Sequence, residues 1–200
     1  YMFHGGTNFG FMNGANRDDK INCTVTSYDY DSPVSECGDL TEKYYLCKEV
    51  IEKHFGKVED IHVENLPKKA YGKVELTSSA KLFNSLDALS TPIDSACTLP
   101  MERVGQNTGF ILYRNYVTGP MPERELHIQE VRDRAVVFVN GEKKGVVYRD
   151  RENEPIMIGA KDGETICIDI LVENMGRVNY GPSLRDKSRI VAMSLCEPRS

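Results

Sequence analysis

The chain has 200 residues, 40% of them apolar and 28% charged, with a formal charge of −5 and acids and bases mixed along its length. That balance excludes collagen-like, coiled-coil and disordered classes, and it offers no basic stripe for nucleic-acid phosphates. The longest apolar runs, such as AVVFV at 135–139, fall far short of the roughly 20 residues that span a bilayer.

Residues 1–4, Tyr-Met-Phe-His, read as a short buried strand of parallel type that ends in the turn Gly5-Gly6. The stretch from there to Thr26 is rich in Gly and Asn, and a loop of that length in a compact domain is usually functional or disordered. Asn22-Cys23-Thr24 is an N-x-T sequon, which makes Asn22 a candidate for N-glycosylation on a secretory route. Cys23 and Cys37 flank the segment TSYDYDSP and would staple it in an oxidising compartment. A helix is signalled next, with Asp39 as N-cap and Glu42 three residues on. Leu40, Tyr44, Cys47 and Ile51 recur on one face, and Gly56 is the stop. The spacing predicts an amphipathic helix facing a core.

One strand and one helix make a single β/α unit, which cannot cover a parallel strand on both faces, so its partners are expected elsewhere. Residues 57–107 are polar and broken by Pro67, Pro92 and Pro100, with one short strand candidate over 72–76. They read as a linker with some structure of its own. From 108 onward the pattern changes to β-rich runs at 110–117, 126–128, 135–139, 145–148, 155–158, 165–172 and 189–195, separated by Gly, Pro, Asn and Asp. Asn140-Gly141 is a hairpin turn signal, and Ile166, Ile168 and Ile170 alternate as a half-buried strand should, with Cys167 read as a small core residue. Residues 108–200 are therefore predicted to form an all-β sandwich of jelly-roll type. The six cysteines lack the CxxC pairs of zinc or redox sites, which argues against a metal centre. The chain starts at Tyr1 with no basic, apolar and small-residue succession ahead of the first strand, and it reads as a fragment.

Three stretches together are more specific than any one alone: YMFHGGTNFGFMNGA at 1–15, TSYDYDSPVSECGDLTEKY at 26–44 and LVENMGRVNYG at 171–181. They resemble glycoside hydrolase family 35, the β-galactosidases, and in order and spacing the acid β-galactosidases of animal lysosomes and their relatives. The resemblance covers most of the chain and is thinnest over 57–107. It implies a (β/α)8 TIM barrel followed by β-sandwich domains. A whole barrel takes ~250 residues, so residues 1–56 would supply only its last β/α unit, followed by a linker at 57–107 and the sandwich at 108–200. It also implies removal of terminal β-galactose from oligosaccharides or glycoconjugates with retention of configuration, in a lysosomal, vacuolar or extracellular setting. No cofactor is needed, because protein carboxylates suffice.

Tyr30 matches the family tyrosine that contacts bound galactose. A phenol suits that role, with a flat apolar face for the C–H side of the sugar and a hydroxyl for hydrogen bonding. From the residues alone, Tyr28 and Tyr30 would sooner be core aromatics of a buried turn; the resemblance reverses that preference. A retaining glycosidase needs two carboxylates about 5–5.5 Å apart on opposite sides of the scissile bond. Asp29 and Asp31, roughly 6.6 Å apart if extended, project to the same side of a strand and cannot flank a bond between them. Their expected work is turn chemistry, since Asp ahead of Ser-Pro readily bonds backbone N–H groups.

The family's acid/base glutamate sits in an Asn-Glu-Tyr context, which does not occur here, and Glu154 and Glu173 match neither catalytic motif. No catalytic residue is therefore assigned, and both glutamates are expected upstream of Tyr1. His4 is read as a packed, hydrogen-bonded residue, Asn8 as a loop former, and Arg177 as a brace of the β domain against the barrel. The family commonly has Ala where this chain has Cys37. The competing reading is a noncatalytic carbohydrate-binding or scaffold sandwich, or an inactive relative.

Overall fold

The computed structural model describes residues 2–57, 59, 62–187 and 189–196. They fall into two compact units, Tyr1–Gly10 with Thr24–Ser79 and Phe11–Cys23 with Ala80–Ser200.

The first unit carries one long helix, α1 (Glu42–Phe55), which Gly56 stops as expected, its N–H bonded to Glu52 O at 3.0 Å. The N-cap is Thr41, not Asp39. The Asp39 carboxylate is taken by Lys68 Nζ at 2.6 Å, and the Thr41 hydroxyl donates to Pro33 O at 2.8 Å, so it anchors the helix start to the preceding turn rather than capping it. The expected core-facing stripe is also corrected: no residue of α1 is buried, and Tyr45, Leu46, Val50, Ile51 and Phe55 are exposed. The strand expected at the start of the chain makes one parallel bridge, His4 to Val34, with Val34 N–H on Phe3 O at 3.0 Å; Tyr1 lies outside the described residues. A ladder needs a second strand alongside, and this unit offers single residues instead. Residues 72–76 are exposed irregular chain and not a strand.

The second unit is all-β. Strands β1 (Gly14–Arg17), β2 (Ile21–Cys23) and β9 (Arg177–Tyr180) form a small sheet in the order β2-β1-β9. A four-stranded sheet runs β3 (Phe110–Thr118), β8 (Thr165–Glu173), β5 (Arg134–Val139), β6 (Glu142–Tyr148). A three-stranded sheet runs β10 (Ala192–Cys196), β4 (Met121–Gln129), β7 (Met157–Ala160), and every neighbour in these two larger sheets is antiparallel.

Alternation puts Ala135, Val137 and Val139 of β5 and Ile166, Ile168, Ile170 and Val172 of β8 on one face, where they join Leu126, Ile158 and Ala160 of the other sheet in a common core. Burying each of the larger side chains contributes about 1.5–3 kcal/mol. The β5–β6 hairpin turns at Asn140-Gly141 with φ of 51° and 80°, the paired positive values that a type I′ turn requires. Cys167 is corrected: it is only half-buried and outside the core, because the residue between two inward isoleucines must point to the other face.

On that outer face Asp169 is buried, and Arg114 grips it with Nε and Nη2 at 2.7 and 2.9 Å. Phe83, from the short helical stretch that leads into α2 (Leu86–Leu89), packs edge-on against Phe138 at 4.8 Å. Met101 is fully buried, and Tyr113 donates its phenol proton to Leu99 O at 2.7 Å. Burial pushes that phenol up to about 12. Arg177 was expected to brace this unit against the barrel; its partners lie inside the unit instead, where Nη1 pairs with Glu102 and Nε donates to Asn107 O at 2.7 Å.

All six cysteines are free thiols, so the expected Cys23–Cys37 staple is not formed. Cys23 sits on β2 opposite Ala15, while the Cys37 thiol lies 3.3 Å from Ser35 Oγ and 3.6 Å from Asp39 Oδ2.

Candidate functional site

The segment Ser27–Glu36 forms a tight turn held both by backbone bonds, such as Tyr28 N–H to Gly6 O at 3.0 Å and Val34 N–H to Phe3 O at 3.0 Å, and by bonds to its own carboxylates. Asp29 is its hub: the carboxylate accepts the N–H of Glu36 at 2.8 Å, and the N–H and hydroxyl of Ser32 at 3.2 and 3.3 Å. Those N–H groups, Glu36 first and Ser32 next, hold the Asp29 carboxyl below the ordinary carboxylate range. Ser32 is buried, and its single hydroxyl proton lies between Asp29 and Val34 O, the latter the shorter contact at 2.6 Å. Glu36 collects hydroxyls from two other points of the chain, Ser27 at 2.6 Å and Thr7, and these, Ser27 foremost, hold its carboxyl low as well. Thr7 and Ser27 are also bridged through the backbone, and Asn8 joins the same seam with Nδ2 on Val25 O at 2.7 Å. Asn8 is thus a loop former. His4 is exposed and not packed as expected.

Two tyrosines stand in this turn. Tyr28 is half-buried, while Tyr30 is 66% exposed, and the rings meet edge to face at 4.7 Å. Tyr30 and Asp31 both adopt positive φ, 47° and 56°, a conformation that non-glycine residues occupy at a cost and that clusters at functional positions. The Asp31 carboxylate is engaged by Lys43 Nζ at 2.7 Å, and Lys43 donates to the Asp31 carbonyl as well. Tyr28, Tyr30, Asp31 and Lys43, with Met2, Pro33 and Cys47, line an open pocket of about 580 Å³, within the range of small-ligand sites.

Asp29 does the turn chemistry expected of it, accepting backbone N–H groups, whereas the Asp31 carboxylate is corrected: it pairs with the Lys43 ammonium. Glu173 accepts Arg134 Nη1 at 2.8 Å in the second unit. Asn22 is exposed on β2, with its side chain available to solvent. No group of His, Cys, Asp and Glu that could hold a metal occurs among the described residues. Sequence reading missed Glu36 and Lys43. Glu36 carries no local signal, whereas a lysine in the first turn of a helix, opposed by the helix dipole, is a mild anomaly that could have pointed to Lys43.

Residues 1–54 match the family model of the glycosyl hydrolases family 35, and residues 98–197 match that of the β-galactosidase first all-beta domain. Among curated proteins the chain is 37% identical to β-galactosidase 1 of Dictyostelium discoideum, over 96% of the chain and 32% of that protein. It is 43% identical to the β-galactosidase of Homo sapiens and 38% identical to β-galactosidase 17 of Arabidopsis thaliana, each over 96% of the chain and covering 28% and 30% of those proteins. The chain belongs to glycoside hydrolase family 35, the β-galactosidases. It spans 28–32% of the length of these relatives.

Proposed function

We propose that this chain is part of a retaining β-galactosidase, in which residues 1–56 supply the last strand-and-helix unit of a (β/α)8 barrel and Tyr30 borders the terminal galactose. One observation carries the reading: within the stretch matched by the glycosyl hydrolase model, Tyr30 stands exposed over a pocket on a turn whose backbone is held in an uncommon conformation. An aromatic ring offered in that way suits stacking on the C–H face of a pyranose, and its hydroxyl suits one of the sugar's own.

The bond-breaking carboxylates belong to residues outside these 200, one as general acid and one as nucleophile of a covalent galactosyl intermediate. Substrates are galactose-terminated oligosaccharides or glycoconjugates, and the sequon at Asn22 supports a secretory route to a lysosomal, vacuolar or extracellular location. The product of the gene that encodes this chain should hydrolyse p-nitrophenyl β-galactoside, while these 200 residues alone should release no product above background. Turnover by the 200 residues alone would remove the reading, as would a gene product with no galactosidase activity.

A further inference from the structure

We infer that Lys43 is a positioning residue for the sugar-facing tyrosine: its ammonium holds the Tyr30-Asp31 backbone in the left-handed conformation that aims the Tyr30 ring over the pocket. The inference rests on the galactose reading for its purpose but not for its geometry.

Two successive non-glycine residues at positive φ persist only where their surroundings impose it. The Asp29 carboxylate fixes the chain after the turn, through Ser32 and Glu36. Directly at the strained pair, Lys43 acts from outside the turn, bonding both the Asp31 carbonyl and its carboxylate. The Tyr30 side chain is largely in solvent and touches Tyr28 by an edge, so the ring has little packing of its own to set its direction.

Lys43 also stands where a cation is not favoured. It is the second residue of α1, against the positive end of the helix dipole. A residue that breaks a local rule in this way is expected to serve another level of the structure, and the bond to Asp31 is that service. An exposed ion pair alone changes an equilibrium by about fivefold or less. An effect of that size is what the variants should show.

Two variants test this, Lys43→Met, which keeps length and helix propensity, and Lys43→Arg, which restores the cation. In the 200-residue chain, a strong intraresidue HN–Hα Overhauser effect at Tyr30 and Asp31 reports positive φ directly. It should weaken in Lys43→Met and persist in Lys43→Arg, with thermal midpoints unchanged; persistence in Lys43→Met would overturn the inference. In the galactosidase made from the same gene, Lys43→Met should weaken competitive inhibition by galactose about fivefold, and Lys43→Arg should restore it. An unchanged inhibition constant in Lys43→Met, beside a Tyr30→Ala control that loses affinity, overturns the inference alone. If Tyr30→Ala also leaves it unchanged, the galactose reading falls, and the Overhauser result still decides whether Lys43 holds the turn.

Discussion

Gly5 lies directly against the carbonyl of Tyr28: a Cβ built on Gly5 would stand 1.4 Å from that oxygen. Two stretches of backbone therefore approach as closely as only a residue without a side chain permits, and the tyrosine turn rests on the first residues of the chain.

Gly5→Ala should push the Tyr28–Tyr30 segment away and cost about 1–3 kcal/mol, the usual range for forcing an extra carbon into filled space. The chain has ten tyrosines and no tryptophan, so urea unfolding followed by tyrosine emission reads the loss without interference. The midpoint should fall further in Gly5→Ala than in Gly38→Ala, where a Cβ meets nothing within 4 Å and the substitution adds only the strain of a positive φ.

The turn should survive acid down to about pH 4 and open below it. Asp29 and Glu36 both have carboxyls held low by donors in the folded state, Asp29 chiefly by the Glu36 N–H and Glu36 chiefly by the Ser27 hydroxyl. A depressed folded value means that the stabilisation is present above the unfolded value and lost as pH falls through the folded one. The amide resonances of Ser32 and Glu36 should hold their positions on acidification to that point and then shift together. Asp29→Asn should remove most of the pH dependence of Ser32.

In the all-β unit, the two ends of one ion pair should differ in cost. Asp169 is 2% exposed, whereas the Arg114 side chain is 37% exposed. Arg114→Leu leaves a buried carboxylate without its charge partner and should cost about 3 kcal/mol; Asp169→Leu leaves a solvated guanidinium and should cost under about 1.5 kcal/mol. Guanidinium unfolding of the two variants measures the asymmetry, and equal costs would contradict it.

Six free thiols should all alkylate under denaturing conditions without reductant. An intact mass with only four additions would place a disulfide in this chain.

The all-β character of residues 108–196 was legible because its signals are local and repeated. The alternation at Ile166, Ile168 and Ile170 and the Asn140-Gly141 turn each carry their structural cause in the sequence, and the strands found there overlap every run read from it. Strands β1, β2 and β9 were not legible, since GANR, INC and RVNY are short and polar and acquire strand geometry from one another: Ala15 is buried opposite Val178 across a distance in sequence that no window samples. The helix was read correctly at its stop and wrongly at its start, because Asp39 is drawn to Lys68, a long-range ion pair that local capping rules do not foresee. At the site, Tyr30 came from motif resemblance and the turn chemistry of Asp29 from its residue type. The supports at Gly5, Glu36 and Lys43 are contacts between separate stretches, visible only after folding.

The central proposal, that Tyr30 is a wall of a galactose pocket, is tested most directly in the full product of the gene that encodes this chain, by comparing kcat/KM for p-nitrophenyl β-galactoside in the wild type, Tyr30→Phe and Tyr30→Ala. Loss of one hydrogen bond should lower kcat/KM about fivefold in Tyr30→Phe, and loss of the ring as well should lower it about a hundredfold in Tyr30→Ala, with unchanged circular dichroism. Wild-type kcat/KM in Tyr30→Ala would contradict the account.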